Sequence, residues 1–152
     1  DIETKCYVVN TNASYMNEAW KDMVGDGSVG KAAAYYGRKN AVQRIEKDAI
    51  VYLYHTGQGI IAKGSATAGY QSVSYNGDPG EEFNVPLKLE WALKDQNEWH
   101  KAPKAWQINQ SVGASHRFRR TVFEISEEMA KEIDRIHKEN EELLNDSAQA
   151  VE

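Results

Sequence analysis

The hydrophobic and polar positions of the chain predict several short strands that alternate with helices. Apolar and β-branched residues favour a first strand over about residues 4–10. A hairpin follows in "AIVYLYHTGQGIIAKGSATAGY", where two such runs flank a glycine-containing turn. The segment "FNVPLKLEWAL" predicts a further strand, in which Pro86 indicates an edge or a bulge. The last strand is predicted in "RRTVFEIS".

Helices are predicted between and after these strands. Ser14 is a suitable N-cap for "YMNEAWKDMV", and "GKAAAYYGRKNAVQRIEKD" indicates one or two short helices interrupted near Gly37. Residues 68–82 are rich in turn-forming residues and predict a long surface loop, and a short helix is expected near "PKAWQIN". Ser126 caps the final helix, whose apolar residues from Met129 onward recur at helical spacing.

This order of elements predicts an α+β fold. Strands that follow one another closely, with helices gathered at the flanks, are typical of a small curved mixed β-barrel with flanking helices. A chain of 152 residues, 41% of them hydrophobic, is long enough for one domain with a substantial core. Residues 1–125 are expected to form that domain, and residues 126–152 a carboxyl-terminal amphipathic helix and tail packed on it.

Composition favours a soluble protein of a reducing compartment. No run approaches the roughly 18–20 apolar residues that span a bilayer, and no signal-peptide pattern opens the chain. The single cysteine, Cys6, excludes an internal disulfide, and its place in a strand indicates a small buried hydrophobic residue. We therefore expect a cytoplasmic protein that has no membrane partner.

The net charge of −5 hides an uneven distribution along the chain. Residues 124–152 hold 10 acidic and 3 basic side chains, which leaves 15 basic and 13 acidic side chains in the first 123 residues. The acidity therefore belongs to the tail, and the body of the chain is free to carry a local basic surface. Global charge does not argue against nucleic-acid binding.

The motifs of common enzyme classes are not found in the sequence. The segment "GDGSVGK" resembles a phosphate-binding loop, but Ala32 stands where the magnesium-binding hydroxyl would be. The four histidines are scattered without metal-ligand spacing, and no carboxylate pair with a nearby lysine forms a nuclease pattern. We predict a protein that is not an enzyme and needs no metal or cofactor, although an active site assembled from distant residues stays open.

Aromatic rings, amides and basic residues are interleaved along the body of the chain. Rings stack on nucleobases for about 1–3 kcal/mol each, and an Asn side chain offers both a donor and an acceptor to a base edge. Basic clusters suit phosphates. For any single ring, a place in the core is the simpler interpretation, and most of the basic side chains are simply solvated. The predicted phosphate-binding residues are Arg38, Lys39, His116, Arg117, Arg119 and Arg120.

Several segments resemble one family pattern. The first strand ends in the polar pair Thr11–Asn12, Trp20 follows on the first helix, and the hairpin contains "GIIA". Phe83 and Trp91 on the next strand complete the pattern. Over about residues 4–125 the chain is therefore similar to the PUA-like superfamily, and within it to the EVE and YTH domains.

The resemblance implies a small curved barrel that binds nucleic acid and takes one flipped, methylated base into an aromatic cage. Modified DNA, with cytosine or adenine as the base, is favoured over RNA, because the stretch after the hairpin carries tyrosines and no Trp. The domain would be the specificity module of a modification-dependent restriction system, and a fused or associated nuclease would cleave. The implied base-binding residues are Asn10, Thr11, Asn12, Tyr15, Trp20, Tyr54, Tyr70 and Tyr75.

Two other functions stay open from the sequence. The first is an RNA-binding or RNA-processing domain of the ASCH kind in the same superfamily, for which Lys63 or Glu90 would supply a catalytic group. The second is an interaction module whose acidic helix over residues 126–144 docks a partner. That helix is more simply a cover for the sheet.

Overall fold

A mixed seven-stranded sheet forms the centre of the structure, a computed structural model that describes residues 4–11, 19–75, 77–113 and 121–151. The strand order is β2-β6-β4-β3-β1-β7, and β5 pairs with β6 on the same side as β4. The strands are β1 (Cys6–Asn10), β2 (Val29–Tyr35), β3 (Ile50–His55), β4 (Gly59–Ala66), β5 (Gln71–Tyr75), β6 (Asp78–Ala92) and β7 (Val122–Ile125).

Helices flank the sheet. Three of those in the described ranges are α-helical, and two short ones have 3-10 geometry. The α-helices are α1 (Ala19–Val24), α2 (Ala105–Val112) and α3 (Glu127–Val151). The first 3-10 helix spans Tyr36–Arg44 and the second spans Gln96–Lys101.

One parallel pairing distinguishes the sheet from a simple meander. β1 lies between β3, to which it runs parallel, and β7, to which it runs antiparallel. The remaining pairings between described strands are antiparallel. The strand order begins at β2 and ends at β7, and these two described strands do not pair with each other. The curled sheet that the described strands form is therefore not closed into a complete barrel. The predicted α+β class, with a curved mixed sheet and flanking helices, is confirmed.

The two faces of the sheet build two hydrophobic cores. Because successive strand residues point to opposite faces, β1 contributes to both. Tyr7 and Val9 join the first core cluster, which also holds Trp20 and Met23 of α1. Cys6, Val8 and Tyr52 join the second core cluster together with the buried side of α3.

The carboxyl-terminal helix covers one face of the sheet. The predicted cap is confirmed, since Met129 N donates to Oγ of Ser126 over 3.1 Å. Ile133 of α3 is fully buried in the second core cluster, and the ring of His137 stacks on Trp91 with a centroid distance of 3.6 Å. No helix in the described part of the chain is long and apolar enough to cross a membrane.

The helical prediction for residues 30–48 is wrong in its first half. Residues 29–35 form β2, and the 3-10 helix begins only at Tyr36. Alanine favours helices, but antiparallel pairing with β6 overrides that preference and buries Ala32 and Ala34. A Cβ at Gly30 would lie 2.2 Å from Met23 O, so glycine lets α1 pack directly on the strand.

Two further predictions need correction. The predicted loop over 68–82 contains β5 and the start of β6, which are joined next to Gly77 at φ +83°. Pro86 lies inside β6 and not at a sheet edge. Its carbonyl accepts from Thr67 N at 3.0 Å, where β4 ends and β5 has not yet begun to pair. Pro86 has no N–H to donate, but neither β4 nor β5 pairs with β6 at this position. The proline therefore costs the sheet no hydrogen bond.

Candidate functional site

Polar groups gather where β1 and β3 end side by side. Because the two strands are parallel, their carboxyl ends meet at one edge, with Asn10 opposite Tyr54. Thr11 N donates to Tyr54 O over 2.8 Å, and Asn10 N donates to Thr121 O over 2.9 Å. We call this place the polar edge, and it comprises Asn10, Thr11, His55, Thr56 and Thr121.

The polar edge presents different side chains to the two faces of the sheet. Strand alternation places Thr11 and His55 on the face of the first core cluster. Thr11 is 1% exposed, and its Oγ1 lies 2.9 Å from Nδ1 of the half-buried His55. Asn10 points to the opposite face, where its Nδ2 donates to Oγ1 of Thr56 over 3.3 Å. Of the described polar-edge residues, Thr11 and His55 are therefore those whose side chains lie on the face of the first core cluster.

Two tryptophan rings lie next to the polar edge on that face. Trp20 of α1 and Trp99 of the second 3-10 helix meet edge to face, with ring centroids 4.7 Å apart. The ring of His55 lies at the same centroid distance, 4.7 Å, from Trp99. Nε1 of Trp99 donates to Leu93 O over 3.0 Å, which fixes the ring. We call Trp20, Trp99 and His55 the aromatic cluster.

Lys104 brings a positive charge to the same region. Its Nζ donates to Gln58 O in the β3–β4 turn over 2.6 Å and to Trp99 O over 3.0 Å. Burial lowers the pKa of this ammonium, and within the described ranges no carboxylate forms an ion pair with it. An ammonium has three N–H donors, so one remains to bind a ligand anion such as a phosphate.

Known structures share this arrangement of strands and helices. A protein from Leishmania major matches with a TM-score of 0.56 at 9% identity, over 91% of this chain and 98% of that one. Human THYN1, in complex with DNA containing 5-methylcytosine, matches with a TM-score of 0.53 at 11% identity, over 91% and 98%. The Mmi1 YTH domain, in complex with RNA, matches with a TM-score of 0.51 at 8% identity, over 89% and 78%. The chain has the PUA-like fold of EVE and YTH domains.

At such low identities the likeness concerns the fold. No protein-family model matches the sequence, and the search of curated proteins finds no match. What the residues of this domain do must therefore be argued from their own positions.

The predicted base-binding residues of the PUA-like domain are not all brought together. Asn10, Thr11 and Trp20 lie at the polar edge or beside it. Asn12 and Tyr15 lie outside the described residues, although Asn12 is bonded directly to Thr11. For these five residues the assignment to the base stays a prediction.

The three predicted tyrosines occupy other places. Tyr54 is 6% exposed in the second core cluster, on the opposite face from Trp20. Tyr75 packs against Tyr35 with centroids 4.4 Å apart. Tyr70 is 45% exposed and lies 5.1 Å from the ring of Phe83. Among the described residues no ring contact joins Tyr70 or Tyr75 to Trp20, whereas Trp99 does contact Trp20. The assignment of the three tyrosines to the base stays a prediction.

The predicted phosphate-binding residues fall into two groups. Arg38 is exposed on the first 3-10 helix, whereas Nζ of Lys39 donates to Gly80 O over 3.2 Å and lies over the Phe83 ring. The other four lie outside the described residues, although one of them is bonded to Thr121 of the polar edge. They are His116, Arg117, Arg119 and Arg120.

Lys63 and Glu90, the residues considered for catalysis, take part in holding α3. Nζ of Lys63 lies 2.9 Å from Asp134 of α3 and 3.0 Å from Glu90. Burial acts to lower the pKa of Lys63, but its hydrogen bonds to Asp134 and Glu90 raise it above the usual value. Such a lysine stays charged at neutral pH and is unsuited to act as a base. Within the described ranges no three His, Cys, Asp or Glu side chains are grouped to hold a metal ion.

His55, Trp99 and Lys104 were missed by the sequence analysis. For His55 a signal existed, because it follows Leu53 on the same face of a predicted strand. Trp99 and Lys104 come from a stretch that lacks periodicity. Tertiary packing alone brings Trp99 to His55 and Lys104 to Gln58 in the turn that follows.

Proposed function

We propose that this domain is a reader that binds nucleic acid and receives one modified base at the polar edge. The observation that carries the proposal is the meeting of polar groups, a tryptophan wall and an unneutralised lysine at one end of the sheet. Extruding a base costs a few kcal/mol, which stacking and hydrogen bonds to the base edge must return. His55, whose Nδ1 lies 2.9 Å from Oγ1 of the buried Thr11, would offer a hydrogen bond. The buried rings of Trp20 and Trp99 would form the apolar wall next to it.

The two neighbours described with nucleic acid support the proposal. THYN1 is described with DNA containing 5-methylcytosine, and the Mmi1 YTH domain with RNA. Both share the fold of this chain, and both are in complex with nucleic acid. Of the two ligands we propose modified DNA, and a fused or associated nuclease would then supply cleavage in a modification-dependent restriction system. RNA remains the alternative outcome of the tests below, because the Mmi1 complex contains it.

Phosphates would be held beside the base. We propose that Lys104 contacts the backbone, since its Nζ is already oriented by two carbonyls and retains one donor. We further propose that Arg120, next to Thr121, and Asn12, next to Thr11, act at the same edge. Arg38 and Lys39 lie on the first 3-10 helix and would contact a longer ligand.

Salt dependence of binding tests the proposed function. Affinity of the wild-type domain for a fluorescein-labelled DNA duplex containing 5-methylcytosine should fall steeply as salt rises, because phosphate contacts release counterions. Lys104→Gln should weaken binding and reduce the slope of log K against log [salt] by about 1. Fluorescence polarisation, repeated at salt concentrations from about 50 to about 200 mM, measures both the affinity and the slope.

Lys131→Gln is the matched control. Lys131 is an exposed lysine of α3, paired with Glu127 at 3.5 Å and placed near the opposite end of β1 from Asn10. It should leave both affinity and slope unchanged. Absence of binding by the wild-type domain at low salt would contradict the proposed function, whereas equal slopes for wild type and Lys104→Gln would contradict only the role of Lys104.

A further inference from the structure

One hydroxyl proton determines what the polar edge can recognise. Oγ1 of Thr11 lies 3.2 Å from Tyr54 O and 2.9 Å from Nδ1 of His55. A hydroxyl donates one proton and accepts through its lone pairs. Tyr54 O is an acceptor only and already accepts from Thr11 N over 2.8 Å, so the hydroxyl can form its own hydrogen bond to Tyr54 O only by donating. Both contacts are hydrogen bonds when Thr11 donates to Tyr54 O and His55 donates from Nδ1 to Thr11.

That arrangement fixes the tautomer of His55. A neutral imidazole that carries its proton on Nδ1 has a lone pair on Nε2. Burial lowers the pKa of the His55 ring, which favours this neutral form at neutral pH. Nε2 is then a hydrogen-bond acceptor.

The position of that acceptor is also fixed. The ring of His55 rests against Trp99, whose Nε1 is bonded to Leu93 O and whose ring meets Trp20. Among the described residues no group hydrogen-bonds to Nε2 of His55. The polar edge therefore holds an oriented acceptor with no protein partner in the described ranges, next to two tryptophan rings.

We propose that Nε2 of His55 selects bases that carry an exocyclic amino group, as cytosine and adenine do, over bases that carry a carbonyl in the same place. This inference rests on the proposed function. An amino group donates to Nε2. A carbonyl oxygen is itself an acceptor, so neither it nor Nε2 would have a hydrogen-bond donor. A site built around a fixed hydrogen-bond partner discriminates by leaving buried groups unpaired when the partner is wrong.

The test uses bases that differ only in this feature. 5-Methylcytosine and thymine carry the same methyl group but present an amino group and a carbonyl, respectively, at C4. Each is placed in an otherwise identical labelled duplex opposite an abasic-site analogue, so that extrusion breaks no base pair in either. Adenine and hypoxanthine form a second pair, which distinguishes a cytosine reader from an adenine reader.

We expect the wild-type domain to bind the amino-bearing member of one pair about tenfold more tightly than its carbonyl partner. His55→Phe keeps a ring against Trp99 but removes the acceptor, so the tenfold preference should disappear. Thr11→Val removes the hydroxyl that sets the tautomer and should reduce the preference as well. It serves as the decisive variant if circular dichroism finds His55→Phe unfolded. Lys104→Gln should weaken binding to both members equally.

The outcomes separate the two proposals. Duplexes that bind with no preference within either pair, or a preference that survives in folded His55→Phe, would overturn the role of His55 and leave the proposed function standing. Failure of the wild-type domain to bind any of the four duplexes at low salt would overturn the proposed function, and the role of His55 with it.

Discussion

Replacing Trp99 with alanine is expected to lower the free energy of unfolding by about 3–5 kcal/mol. Trp99 is 5% exposed, its Nε1 donates to Leu93 O, and its ring touches both Trp20 and His55. The truncation removes a large ring from the core and leaves a buried carbonyl without its donor. Urea unfolding followed by circular dichroism measures the change without depending on tryptophan fluorescence.

Trp106→Ala is the matched control for this substitution. Trp106 is 65% exposed on α2, so its removal should change the free energy of unfolding by less than about 0.5 kcal/mol. Similar losses in the two variants would contradict the arrangement in which Trp99 anchors the aromatic cluster. A small loss in both would mean that the wall beside His55 is not part of the core.

Gly59→Ala is expected to cost about 3 kcal/mol of folding free energy, through backbone strain and a steric clash. Gly59 has φ +119°, and a Cβ there would lie 2.3 Å from Pro103 O. The neighbouring amide of Ile60 donates to that same carbonyl over 2.9 Å, so the two segments cannot separate without losing this bond. The same urea unfolding experiment measures the loss of folding free energy.

Gly57 provides the comparison within the same turn. It also has positive φ, +81°, but a Cβ there would meet no atom within 4 Å. Gly57→Ala should therefore cost only about 1 kcal/mol, from the left-handed conformation alone. Equal losses of folding free energy in the two variants would contradict the close packing of the hairpin turn against residues 102–104. That packing positions Lys104.

The sequence predicted those elements whose signal is local. The hairpin over residues 50–66 has β-branched runs and a glycine turn, and Ser126 precedes an amphipathic helix, so pattern and structure agree. β2 was missed because its alanines favour a helix in isolation, and only pairing with β6 makes them a strand. β5 was missed because the strand is short and most of its residues are exposed, so it shows no hydrophobic pattern.

The candidate site was predicted in part for a related reason. Asn10 and Thr11 stand at the end of a recognisable strand, so their place was readable from sequence. Tyr54 could have been assigned to the opposite face by counting from His55, since neighbouring strand residues alternate. No local pattern brings Trp99 to Trp20, because the two are joined only by the packing of a 3-10 helix against α1.

The side chains of the α3 face and those of the polar edge differ in how they are used. On the α3 face, Asp134 binds both Lys63 and Tyr52, and Trp91 stacks on His137, so these side chains hold the helix on the sheet. At the polar edge, Nε2 of His55 has no hydrogen-bond partner among the described residues, and Lys104 donates to Gln58 O and Trp99 O nearby. A group that is held in position but not used internally is available to a ligand, and for this reason we propose the reader site at the polar edge.

The central claim, that this domain reads a modified base, is tested most directly by a binding panel at one fixed moderate salt concentration. The panel compares one duplex sequence unmodified, with 5-methylcytosine, with 5-hydroxymethylcytosine and with N6-methyladenine, together with single-stranded RNA of matched sequence. The account predicts that one modified duplex binds at least about tenfold more tightly than the unmodified one, by fluorescence polarisation. Equal weak binding to every ligand would contradict it, and would mean that this chain has the fold of a reader without the function.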